Sequence, residues 1–163
     1  MTLLLSAART SGSLKIIERI DFMLLGIPPI ISPELLKILS EMGHGDEIVL
    51  GDGNFPASSN AKRLIRCDGH GVCELLSAIL KLFPLDSYVE SPVVLMQVEP
   101  GDTVVPVIWD DYKKIVNASN PEAKISEIRR NEFYERARSA YAVIATSEAA
   151  LYANIILKKG VIK

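Results

Sequence analysis

The chain has 163 residues, enough for one domain with a full hydrophobic core and too few for two comfortable ones. Apolar residues make up 48% and charged residues 23%, the balance of a globular protein rather than a disordered one. A net charge of −2 argues against electrostatic binding to nucleic acid or an anionic membrane, and no apolar run is long enough to span a bilayer.

Residues 1–22, "MTLLLSAARTSGSLKIIERIDF", open with a short apolar run that no basic region precedes, so a secretory signal is not expected. The expected readings are an appended helix over Leu14 to Phe22, or an extension ahead of a second start at Met23. Ser and Arg with no acid before Glu18 leave a transit peptide as a lesser alternative. Residues 23–163 then form the domain proper. In "GIPPIISPELLKILSEMGHG", Ser32 is placed to cap a helix, with Pro33 at its first position and Glu34 in its first turn. Leu35, Leu36, Leu39 and Met42 make its apolar stripe, and Gly43 fits a left-handed C-terminal position.

"EIVLGD" reads as a short buried strand that runs into the turn "GDGNFP". "KRLIRC" alternates like a strand, and "VCELLSAILKLF" has helical spacing that Pro84 is expected to end. "SPVVLMQV" predicts a strand, "VIWDDYKKIVNAS" an amphipathic helix and "NEFYERARSA" another helix. The strands "YAVIAT" and "ANIILKKG" complete the chain. This alternation favours an α/β fold: a layered α/β/α single domain around a mixed, mainly parallel sheet. Neither a Walker-type nor a dinucleotide-type glycine loop is present, which disfavours a nucleotide enzyme.

Several polar residues stand out, each with an ordinary structural alternative. His44 lies between two glycines beside Asp46, at the expected end of the first helix. Imidazole titrates near neutral pH, which suits proton transfer, but a loop histidine capping its helix fits as well. Asp52 follows a strand, where open α/β sheets collect ligands, yet it also suits a turn that bonds its own backbone. Asp86 in "LFPLDSYVESP" is either a turn cap or a pocket carboxylate. Tyr134, Tyr152 and Asn154 are hydrogen-bonding groups that equally serve structure. "CDGHGVC" brings Cys67, His70 and Cys73 together, but it offers at most three ligands and has no partner motif, so no metal is expected. Two cysteines do not make a disulfide scaffold, and a reducing, cytoplasmic compartment is the expectation.

The stretches "GIPPIISPELLKILSEMGHGDEIVLGDGNFPASS", "LFPLDSYVESP", "EFYERARSAYAVIATSE" and "LYANIILKKGV" resemble the family of L-fucose mutarotases and D-ribose pyranases, in order, over about residues 24–162. "NFP" and "PLD.YVE.P" are similar to the fucose branch. "YAN" replaces the "YGN" common there, as in the ribose branch, and Gly51 stands where that branch often has alanine. The resemblance implies α/β anomer interconversion of a free monosaccharide, L-fucose or a relative, by general acid–base chemistry without a cofactor. By motif it implies His44 as proton donor, with Asp86 and Tyr134 also catalytic. It implies Asp52, Met96, Tyr152 and Asn154 as sugar contacts. It further implies a homo-oligomer, with the family's ring-shaped decamer as the form, which agrees with a mean hydropathy of +0.23. The alternatives are a ribose-type pyranose–furanose interconversion, a non-catalytic sugar-binding accessory protein and, more distantly, a zinc module.

Overall fold

The structure, a computed structural model, describes residues 24–162, so the helix expected over Leu14 to Phe22 and the start at Met23 lie outside the described residues. The elements are α1 (Pro33–Glu41), β1 (Glu47–Gly51), α2 (Ala57–Asn60), β2 (Leu64–Cys67), α3 (Val72–Ile79), β3 (Val93–Met96), α4 (Ile108–Ser119), β4 (Ile125–Ile128), α5 (Arg130–Ser139), β5 (Ala142–Thr146) and β6 (Ile155–Lys158).

The six strands form one sheet in the order β2-β5-β1-β6-β3-β4. β1 to β5 run one way, and β6 runs against them between β1 and β3. Strand side chains alternate between faces, and the core divides accordingly. Ile48, Leu50, Leu95, Ile144 and Leu157 pack with α1, α3 and α4. Val49, Val94, Met96, Val143 and Ile156 face α2 and α5. The result is the three-layer α/β/α domain with a mixed, mainly parallel sheet. β1, β3 and β5 have both faces covered and are almost wholly apolar. The edge strands β2 and β4 carry the exposed charges Arg66 and Glu127, which discourage further pairing.

α1 begins as its sequence predicts: Ser32 Oγ accepts the Leu35 N–H at 3.1 Å, and Leu35, Ile38 and Leu39 are buried. Its end differs. The helix stops at Glu41, Met42 is extended, and the left-handed glycine is Gly45 (φ +86°) rather than Gly43. The terminal carbonyls of Leu39 and Met42 receive Nζ of Lys159, a residue remote in sequence. His44 therefore does not cap the helix. α3 also ends early, at Ile79, where tighter turns take over (Leu82 N–H to the Ile79 carbonyl, 2.9 Å), so Pro84 lies beyond the end it was expected to make.

Two elements escape the sequence reading. α2 is a single turn, and β4 ("ISEI") is a half-polar edge strand without a continuous apolar run. The "CDGHGVC" segment is dispersed into structure. Cys67 is buried in the core, His70 Nδ1 lies 3.0 Å from Glu74 Oε1, and Gly69 N–H donates to Ser147 Oγ. Burial pushes both thiols up.

Candidate active site

β1 carries polar groups at both ends. Its C-terminal end leads into Asp52, which is 6% exposed. Asp52 Oδ1 accepts the Asn54 N–H at 2.9 Å, the self-bonded turn that composition suggested. Its other oxygen accepts the Asn154 side-chain amide at 3.0 Å, and its own N–H donates to Asn154 Oδ1 at 2.8 Å. This two-way pairing joins the end of β1 to the start of β6. Burial pushes the Asp52 carboxyl up; the N–H groups of Asn54, Ala153 and Phe55 and the Asn154 amide oppose that rise without cancelling it.

Met96, at the end of β3, and Tyr134, on α5, complete this side with Tyr152. Asp52, Met96, Tyr134, Tyr152 and Asn154 line one cavity of about 220 Å³. It lies at the C-terminal ends of β1 and β3, whose connections leave in opposite directions, toward β2 and toward β4. That arrangement opens a crevice in α/β sheets. The Tyr134 ring meets Phe55 edge-on at 5.5 Å, and Phe55 in turn meets Phe133 at 6.0 Å.

Tyr152 is held with unusual firmness. It has φ +56°, the left-handed conformation that costs a residue with a side chain roughly 1–2 kcal/mol. The Trp109 indole N–H donates to its carbonyl at 2.8 Å, and the Tyr112 hydroxyl donates to the Ala153 carbonyl at 2.8 Å. At the far end, the Tyr152 hydroxyl donates to Asp102 Oδ2 at 2.6 Å. That bond pushes the phenol up and holds Asp102 below the usual carboxylate range.

Sequence reasoning missed Arg130, Glu99 and Asp102 in the same cavity. Arg130 precedes Tyr134 by one helical turn, so both face the same way, and that spacing in "RRNEFY" was a usable signal. Arg130 Nε lies 3.3 Å from Glu99 Oε1. One cation, three carboxylates, two amides and two phenols beside Met96 and Phe55 make a lining suited to a small polyhydroxylated ligand.

The other two predicted residues meet at the opposite end of β1. His44 Nε2 lies 3.2 Å from Asp86 Oδ1, with the His44 side chain 47% exposed and Asp86 2% exposed. The same Asp86 oxygen accepts the Tyr88 N–H at 3.0 Å. Burial pushes the Asp86 carboxyl up, but the Tyr88 N–H, the His44 ring and the charge of Lys158 outweigh it and hold the group below the usual carboxylate range. Gly160 makes room for this loop, since a Cβ there would come within 2.5 Å of the Leu85 carbonyl oxygen. The structure thus brings His44 to Asp86, and Tyr134 to Asp52, but does not bring the two sets together within one chain.

Residues 25–162 match the model of the RbsD / FucU transport protein family. An L-fucose mutarotase of Actinobacillus pleuropneumoniae is 54% identical over 142 residues, covering 85% of this chain and 97% of that protein. The human fucose mutarotase is 50% identical over 145 residues, covering 85% and 94%. The crystal structure of the Streptococcus pneumoniae fucose mutarotase in complex with L-fucose superposes with a TM-score of 0.82 at 54% identity, covering 86% of this chain and all of that one. The chain belongs to the RbsD / FucU transport protein family.

Proposed function

We propose that this protein is an isomerase, a mutarotase that interconverts the α and β anomers of free L-fucose. The observation that carries this reading is the small cavity lined by Asp52, Asn154, Tyr134 and Tyr152, in a chain 54% identical to a protein of that activity over 97% of its length. Ring opening removes the proton from the anomeric hydroxyl, breaks the bond between C1 and the ring oxygen, and gives that oxygen a proton. Rotation about C1–C2 and the reverse transfers close the ring on the other face. Positioned acid–base groups suffice for these steps, each typically worth ~10²–10⁴-fold.

In this reading Asp52, Asn154, Tyr152, Met96 and Arg130 hold the sugar, while His44, Asp86 and Tyr134 supply the proton-transfer groups. The five residues of β1 separate His44 from Asp52 by roughly 15 Å, at about 3.3 Å per residue. That is more than one monosaccharide spans. The site is therefore completed between copies in a homo-oligomer, His44 of one protomer facing the cavity of the next. The ring-shaped decamer of the resemblance would satisfy this arrangement.

The test is NMR exchange between α- and β-L-fucose with and without the protein, beside a matched D-ribose sample. Faster anomer exchange on fucose supports the mutarotase. Acceleration restricted to pyranose–furanose exchange of ribose moves the protein to the pyranase reaction. Binding of fucose without acceleration of either sugar leaves a carbohydrate-binding accessory protein.

A further inference from the structure

We infer that Tyr88 is a specificity-determining residue, an apolar platform for the methyl group that distinguishes L-fucose from the same ring without it. The inference rests on the mutarotase reading and deepens it.

Tyr88 is 67% exposed, although tyrosine is a large, mostly apolar side chain. Its ring stands edge-on to His44, with centroids 5.5 Å apart and planes at 62°. Its position is tied to the proton-transfer pair by a single atom: Asp86 Oδ1 accepts the Tyr88 N–H at 3.0 Å and faces His44 Nε2 at 3.2 Å. A sugar that presents its ring oxygen to His44 has the Tyr88 ring, 5.5 Å from the imidazole, at its side.

The chemistry of the sugar says which part it meets. The reaction is confined to the ring oxygen, C1 and the anomeric hydroxyl. The methyl group of L-fucose sits on C5, which is bonded to that ring oxygen. A proton-transfer group over the ring oxygen therefore has the methyl as its nearest apolar neighbour. Aromatic rings present an apolar face to such groups and reserve their polar end for water. The 220 Å³ cavity around Asp52 has a lining of mixed polarity, with Met96, Phe55 and Leu151 beside its carboxylates and amides. Tyr88 supplies an apolar surface on the reacting side.

One methyl or methylene in a complementary apolar site is worth roughly 10–200-fold in discrimination. The experiment compares kcat/KM for L-fucose with that for D-arabinose, which has the same pyranose ring with hydrogen in place of the methyl. NMR exchange is read on the full chain, on Tyr88→Ser and on Tyr88→Phe. The wild type is expected to favour fucose by about tenfold or more, and Tyr88→Ser to narrow that ratio toward one, mainly through KM for fucose. Tyr88→Phe is expected to restore the ratio. A parallel fall of both sugars in Tyr88→Ser, or an unchanged ratio, would overturn the inference, because Tyr88 would then only support His44 or do neither. Failure of the underlying reading is distinguishable: the wild-type protein would then accelerate neither sugar.

Discussion

His44 and Asp52 look like neighbours in the sequence, yet β1 carries them to opposite ends of the sheet. In the proposed reaction the two residues have different tasks. Replacing His44 with Ala should slow fucose anomer exchange by about 10²–10⁴-fold while calorimetry still detects sugar binding. A second prediction concerns Gly51. A Cβ there would meet the Phe55 side chain at 2.7 Å, and Phe55 supports Tyr134. Gly51→Ala in this chain should cost about 1–3 kcal/mol in urea unfolding and disturb the Tyr134 side of the cavity. The alanine common in the fucose branch is thus not a neutral exchange here. Asp86 adds a pH signature. Its carboxyl is held below its ordinary value of 3.8, so it contributes stability above that value and loses it as pH falls through the lower, native one. Asp86→Asn should flatten the acid side of the stability curve below about pH 4. Asp52, raised by burial, acts in the opposite sense, contributing stability at low pH that is lost as pH rises.

At the scale of elements, the sequence was readable where the signal is local. Ser32, Pro33 and Glu34 announce α1 because capping involves only adjacent residues. The apolar runs of β1, β3 and β5 announce strands because both of their faces are covered. Where the cause is distant, the reading failed. The end of α1 depends on Lys159 rather than on Gly43, and β4 exists because β3 offers it an edge. The pairing of His44 with Asp86, and of Asp52 with Asn154, likewise depends on topology that spacing does not carry. Asp52, Tyr152 and Asn154 stood out as polar residues with structural alternatives, and Met96 was reached only through family resemblance; Arg130 was missed although its spacing to Tyr134 was visible. Arg136 binds Glu47 through three contacts of 2.7–3.1 Å and fixes the end of α5 to the start of β1. Arg136→Ala should destabilise the fold by about 1–3 kcal/mol, with the loss reduced in Arg136→Lys, which keeps the charge without the bidentate fork.

For the whole molecule, the sheet explains why a single protomer is an incomplete enzyme in this account. The cavity around Asp52 opens at one end, beside a larger cleft of about 670 Å³ with which it shares Glu99 and Arg130. The exposed His44, backed by buried Asp86, stands at the other end. Isologous or cyclic assembly can set one end against the other in every copy. The most direct measurement of this central claim is subunit complementation, using His44→Ala and Asp52→Asn proteins that are each tested alone, then unfolded together, co-refolded and assayed by NMR for fucose anomer exchange. Two nearly inactive proteins should yield a mixed oligomer that regains about a quarter of wild-type activity, the share of randomly formed sites with both residues intact. Mixed oligomers that regain nothing would contradict the account, placing His44 and Asp52 in separate tasks rather than on one sugar.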